Sequence, residues 1–524
     1  MTGVTSEYIL STLDNLMTLT GEFMANLNNN IRKIRCEHRV IYLLMVVFFI
    51  KGLMYSIYLI PPMAGASPDD VGHISYIQYI AKEKKLPVIY KTKLENITEI
   101  SYEEFENREI FNYKSLEVDT EEFDDGNGDN WIAQHPPLYY ILLTPVYMIA
   151  KLFTNKLYIL IIILRIATIS LGVSSIYFLN KIMNVMKSKR VVRYTILSVF
   201  TFSAPIQFYF STITNDSLLV FLCILSLYLL LMCITYNINK YYYLFIISCA
   251  FICLTKYTGA FVVICYVLFF AYKSWRENGL LSTIKKLVAG GALGLIILSP
   301  IFIRNLYLYG NILQVYDKQA INYHYNIIYF IKNLGYFNEI YSHILTLIGW
   351  KSMIVSSNLM RTVVALIISI LWFLSLLKRQ NRTYQFLNYS IYIIAIAILY
   401  NNLNIKFSTS IVIISLILLI INRITQKDIT KEKKEFIIFY TITSLIVCIA
   451  FMYQHYIIAG TRGITGAMHG RYYYIIIFQV QYLLFEVLED YENRLIKYTP
   501  FIVACIAIFF EIQTVYGCLI NWQR

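Results

Sequence analysis

Residues 40–60 read VIYLLMVVFFIKGLMYSIYLI, and a few positions further on residues 67–73 read Ser67-Pro68-Asp69-Asp70-Val71-Gly72-His73. The first stretch is long and apolar enough to cross roughly 30 Å of hydrocarbon as one helix. It empties into two adjacent carboxylates and an imidazole. The rest of the chain repeats the theme: of 524 residues 58% are hydrophobic and only 15% charged, with a mean hydropathy of +0.56. Soluble globular proteins carry about 25% charged residues. A soluble multidomain enzyme and a disordered chain are thereby excluded, and nine cysteines, most of them in apolar runs, make no disulfide framework. Residues 1–30 lack a basic region followed by a short apolar core, so no cleavable signal is expected there.

The net charge of +13 would suggest nucleic acid in a soluble protein. In a membrane chain it is an orientation signal, because short links rich in Lys and Arg stay cytoplasmic, and no nucleic-acid partner is expected. Arg32, Lys33, Arg35 and Arg39 place a weakly amphipathic N-terminus, residues 1–40, in the cytoplasm, so helix 1 (41–60) runs outward. A large polar loop, 61–156, follows outside and closes with an apolar surface helix over 137–153. Helix 2 covers 157–179, helix 3 about 193–212 and helix 4 217–236; helices 5 and 6 share 241–272 with a hinge near Thr255–Gly259, and helix 7 covers 287–304. The region 157–304 thus holds helices 2–7. A Tyr-rich outer loop, 305–360, precedes helices 8–13 in 361–524. Thirteen spans put every strongly basic short link (Lys181 to Arg193, Lys273 to Lys286, Lys378 to Arg382, Arg423 to Lys434) on one side, which an even number would not. The fold class is an all-α polytopic membrane protein.

Ionisable residues at membrane depth or at its lip are costly and are functional candidates by default. Asp69 and Asp70 stand at the outer lip, where a desolvated carboxylate can act as a general base and its neighbour can raise its pKa or share a divalent cation. The alternative is an N-cap for the helix that follows. Asp216, in Thr214-Asn215-Asp216-Ser217, poses the same choice at the turn between helices 3 and 4. Asp69, Asp70 and Asp216 together would suit a cation such as Mg or Mn. Four cations, Arg165, Lys256, Arg304 and Arg471, lie near outer helix ends. They would suit a phosphate leaving group, or would snorkel to lipid headgroups. Lys51, inside helix 1, calls for a partner within the bundle. The histidines share no zinc-ligand spacing. His135-Pro136-Pro137 starts the surface helix, the acidic run 124–129 reads as a solvated tip, and Asn96-Ile97-Thr98 fits a glycosylation sequon.

These elements, in order, resemble a family. Pro68-Asp69-Asp70-Val71-Gly72-His73 is similar to the Pro-Asp-Glu-x-x-His loop of GT-C fold glycosyltransferases, the polytopic enzymes related to protein O-mannosyltransferases and lipid A aminoarabinose transferases. Gln134-His135-Pro136-Pro137-Leu138-Tyr139-Tyr140 resembles the Pro-Pro-Leu-Tyr-Tyr element, and Leu164-Arg165-Ile166 the Arg of helix 2. Asn215-Asp216 resembles the acid of the second outer loop, and Leu254-Thr255-Lys256-Tyr257-Thr258-Gly259 the Thr-Lys-Tyr-Thr hinge. Arg304-Asn305 with Tyr309-Gly310, and Gly470-Arg471-Tyr472, complete the set. Asp70 departs from the family, which carries Glu there.

The resemblance implies a GT-C fold of about 13 helices and a sugar transferred from a polyprenyl-phosphate-linked donor in the membrane to a protein, lipid or cell-wall polymer acceptor. It implies a plasma-membrane enzyme with an outward-facing site and a single inverting displacement. Asp69 would be the base, assisted by Asp70 and Asp216, and Arg471, Lys256, Arg304 and Arg165 would hold the donor phosphate. His73, His135, Tyr139, Asn305 and Tyr472 would line the substrate site. A lipid-linked sugar flippase and a catalytically inactive relative are the alternatives.

Overall fold

The computed structural model describes residues 38–63, 67, 69–94, 128–313, 337–338, 340–341, 357–377, 381–402, 405–462, 470–491 and 494–523. The N-terminal basic cluster up to Arg35, the sequon at Asn96, most of the acidic run 124–129, most of the Tyr-rich loop and Lys378 with Arg379 lie outside the described residues.

The described chain is almost wholly helical. Helix α1 (His38–Leu59) is followed by α2 (Asp70–Glu83), α3 (Leu138–Lys151), α4 (Leu157–Val185), α5 (Arg190–Phe202) and α6 (Ala204–Phe210). Then come α7 (Asn215–Tyr236), α8 (Asn239–Thr255), α9 (Ala260–Asn278) and α10 (Leu280–Tyr309). The second half holds α11 (Ser357–Leu377), α12 (Arg382–Asn402), α13 (Phe407–Thr425), α14 (Lys431–Arg462), α15 (Ile477–Phe485) and α16 (Thr499–Gln523). All thirteen segments expected to cross are helical. Among the described residues nine helices are long and apolar enough to span a bilayer, ten if α5 and α6 form one broken span. The difference from thirteen lies in α8, in α16 with its apolar run Thr499–Gln513, and in residues 470–490, where α15 is only nine residues long and is flanked by 3-10 turns.

Three local features set the site's frame. Helix α1 ends in a π-helical turn, Tyr55–Leu59, in which the Ile60 amide donates to the Tyr55 carbonyl at 2.8 Å. In that register Ser56 would look to residue 61 for its donor, and Pro61 has no N–H. Secondly, helix 3 was expected to be continuous over about 193–212, but α5 and α6 meet at a 62° bend. Ser203 is extended there and Pro205 sits in the first turn of α6, as suits a residue with fixed φ and no amide donor. Thirdly, α3 buries Tyr139, Tyr140, Leu143 and Tyr147 against α2 and α4, while Ile141, Leu142 and Ile149 remain exposed on its other side. A 14-residue helix with this pattern suits the expected surface element.

Phe48 of α1 packs against Phe200 and Phe210, one on each side of the bend, with ring centroids 6.0 and 5.9 Å apart. Gly172 of α4 admits this contact, since a Cβ there would lie 2.4 Å from the Phe48 ring. Three of the basic links, at 181–193, 273–286 and 423–434, gather at the end of the bundle remote from Asp69. There Arg423 binds Glu486 and Asp490, Lys433 reaches Glu486 at 2.8 Å and Glu489 at 3.1 Å, and Lys273 and Arg276 share Glu435.

Candidate active site

At the other end of the bundle the chain brings together the end of α1, the starts of α2 and α7, the α8–α9 break and the turn at Gly470–Ile476. Asp69 occupies the position of an N-cap for α2 but caps nothing. Its backbone is left-handed, with φ 63°, and its side chain makes no capping bond. That conformation is uncommon for a non-glycine residue and clusters at functional sites. The carboxylate is turned instead to Arg471, whose Nη2 donates to Oδ2 at 2.8 Å, and to Trp131, whose indole N–H reaches Oδ1 at 3.3 Å.

Asp216 is not a cap either. Thr214 caps α7 by accepting from the Asp216 amide, which leaves the Asp216 carboxylate for Lys256 Nζ at 2.6 Å. Arg471 joins the two acids, because its Nε lies 3.6 Å from Asp216 while its Nη2 holds Asp69. Both cations cover the Tyr472 ring, at 4.9 Å for Lys256 and 5.3 Å for Arg471. Residues 69, 216, 256 and 471, from four separate elements, thus form one alternating chain of two acids and two cations. A small pocket lined by Phe200, Tyr209, Phe210, Val220 and Tyr474 opens beside Asp216.

Burial alone would raise the Asp69 pKa, but the Arg471 charge, aided by His73 and by the bonds from Arg471 and Trp131, holds the carboxyl far below the usual carboxylate range. The opposite happens to the two histidines. His73 and His135 stack with ring centroids 6.4 Å apart, and His73 Nδ1 lies 2.9 Å from the Tyr140 hydroxyl. Burial dominates both, with Lys256 opposing a further positive charge, and their pKa values fall to about 4 and about 3. Both rings are neutral at neutral pH. The Tyr139 ring meets His73 edge-on at 6.3 Å.

Three expected site residues have other engagements. Asp70 turns away from the acid–cation chain, accepting from the Ser67 amide at 3.2 Å and hydroxyl at 2.9 Å, so it closes the loop before α2. Arg165, fully buried, donates to the carbonyls of Ser56, Ile60 and Pro61 at 2.8–3.0 Å. It satisfies carbonyls where α1 ends, among them that of Ser56, whose donor in the π register would be Pro61, and does not face the cluster of charges. Arg304 donates to the Leu86 and Pro87 carbonyls at 3.3 and 2.7 Å and fastens the segment after α2. Asn305, beside it, donates to Tyr257 and to the Ile312 carbonyl. Sequence reasoning missed Trp131 and Tyr140; the run of aromatic and proline residues at 131–140 was the signal available.

The three acids expected to share a cation are each engaged by protein groups. Asp69 and Asp216 each accept from a cationic side chain and Asp70 points elsewhere. Among the described residues no three of His, Cys, Asp and Glu come together as a metal site.

A multi-pass helical bundle with this constellation fits the GT-C class of membrane glycosyltransferases. Residues 134–303 match the family described as dolichyl-phosphate-mannose-protein mannosyltransferase, a family of the GT-C superfamily, and that stretch contains His135, Tyr139, Arg165, Asp216 and Lys256. No curated protein and no solved structure matches the chain.

Proposed function

We propose that the protein transfers a sugar from a polyprenyl-phosphate-linked donor to an acceptor hydroxyl at the extracytoplasmic face of the plasma membrane, with inversion at the anomeric carbon. The observation that carries this reading is the Asp69–Arg471–Asp216–Lys256 chain at one end of a membrane bundle. It sets a carboxylate suited to an acceptor proton beside two cations suited to a phosphate. The sequence match to a family described by a lipid-phosphate sugar donor supports the same donor class here. Outward placement is supported by the basic links at the opposite end, and the same rule puts the N-terminus inside.

In this mechanism the acceptor oxygen bonds to the anomeric carbon as the bond from that carbon to the phosphate oxygen breaks. The acceptor proton passes to Asp69, and polyprenyl phosphate departs on Arg471 and Lys256. Paired with Arg471, Asp69 is a weak base. A donor phosphate that draws the guanidinium toward itself returns basicity to the carboxylate as the acceptor arrives. Asp216 aims Lys256 and Arg471, both of which lie over the Tyr472 ring. His73, His135 and Tyr139 form a neutral wall on which a sugar can pack. Arg165, Arg304 and Asp70 hold the loops in place. No step needs a metal.

The test is incubation of purified protein with radiolabelled polyprenyl-phospho-sugars and candidate acceptors, with and without EDTA. Labelled product that persists in EDTA is expected. Movement of intact donor across a vesicle membrane, without cleavage, would overturn the reading in favour of a flippase.

A further inference from the structure

Lys51 lies within the apolar run of α1, where an ionisable side chain is costly unless paired. Its ammonium meets three groups. Glu511 of α16 accepts at 2.7 Å, the Thr201 carbonyl accepts at 2.8 Å, and the Phe202 ring lies 5.4 Å away. Tyr55, one turn further along α1, donates to the other Glu511 oxygen at 3.2 Å. Thr201 and Phe202 are the last residues of α5, at the edge of the 62° bend.

That position explains the lysine. In an unbroken helix the Thr201 carbonyl would accept from the amide of residue 205, which is Pro205 and has none. Ser203, extended at φ −74° and ψ 116°, turns the chain aside. Within a bilayer no water replaces a missing backbone donor, so the group must be satisfied by protein.

We propose that Lys51 is a positioning residue: it gives the Thr201 carbonyl the donor that Pro205 lacks, fixes the α5–α6 bend, and so aims the following turn at the acid–cation site, with Glu511 as its counter-charge. The path to the site is short. All seven residues of α6 are buried. The Phe210 carbonyl at its end accepts from Thr168 at 2.8 Å, and the next carbonyl, of Ser211, accepts from Ser56 at 3.4 Å. Thr214 then caps the helix that carries Asp216. A change of tilt in α6 has only this held turn in which to dissipate before Asp216.

A plain interhelical ion pair would behave differently, and paired variants separate the two roles. Replacing both partners of a buried ion pair by apolar residues is often neutral for stability, whereas removing one is not. Lys51→Met should therefore lower thermal stability in detergent, and Lys51→Met/Glu511→Met should recover only the part due to the unpaired Glu511, because the Thr201 carbonyl still lacks its donor. Amide hydrogen exchange over residues 203–214 should nevertheless rise about tenfold or more in both, and kcat for sugar transfer should stay depressed in the double variant. Lys51→Arg, which keeps a donor and a charge, should remain near wild type in exchange. The inference is overturned if exchange over 203–214 stays within about twofold of wild type in the double variant, or if that variant recovers full kcat. The exchange measurement stands apart from the sugar-transfer reading, so absence of transfer in the wild-type protein would count against that reading alone.

Discussion

Asp69→Asn tests the proposed base with the least structural disturbance. Asn is among the few residues that tolerate the left-handed conformation seen here at φ 63°, and its amide oxygen can still accept from Trp131 or Arg471. What is lost is the charge. The Asp69 side chain is 23% exposed and Arg471 has Asp216 as a second acid 3.6 Å away. Stability should therefore fall by about 1.5–3 kcal/mol, the range for a hydrogen bond to a charged group, and the fold should persist. Catalysis should fall much further: removing a positioned general base costs about 10²–10⁴ in rate, or about 3–5 kcal/mol at about 1.4 kcal/mol per decade. The assay is single-turnover release of polyprenyl phosphate from a labelled polyprenyl-phospho-sugar, with a thermal melt on the same preparation. Asp70→Asn is the comparison, since that side chain holds Ser67 rather than Arg471; it should retain more activity than Asp69→Asn. Transfer by folded Asp69→Asn within about tenfold of wild type would refute the base assignment.

Other expectations follow from the same geometry. Arg471→Ala should raise the donor KM and lower kcat together, and unchanged values of both would remove Arg471 from phosphate binding. Arg165→Met leaves three carbonyls without their donor and should destabilise by about 3–9 kcal/mol, since each unsatisfied buried acceptor costs about 1–3 kcal/mol; a melt equal to wild type would contradict the clamp. His73 and His135, held near 4 and 3 against an ordinary 6.5, stay neutral in the fold while the unfolded chain takes up protons. Stability should thus decline as pH falls from 6.5 toward 4, at most by about 1.4 kcal/mol per unit per histidine. His135→Phe should flatten that slope, and an identical slope in wild type and variant would disprove it.

Much of this arrangement could be read from the chain because it is local or carried by charge. Long apolar runs and basic links are one-dimensional signals, and the helices fall close to where they were expected. The acids Asp69 and Asp216 and the cations Lys256 and Arg471 were singled out individually, but their union was not legible, since four elements far apart in sequence supply them. Arg165 and Arg304, expected as phosphate ligands, donate to backbone carbonyls at the end of α1 and in the segment after α2, partners far away in sequence. The bend at residue 203 was announced by Ser203-Ala204-Pro205 but hidden by the apolar residues around it. Lys51 called for a partner, and nothing near it in sequence supplies one.

The Lys51–Glu511 pair also bears on how the protein is made. Lys51 lies in α1 and Glu511 in α16, far apart along the chain, so the ribosome delivers the lysine long before its partner. Between the insertion of α1 and that of α16 the ammonium therefore lacks its carboxylate. A chain truncated before α16 leaves Lys51 without its counter-charge.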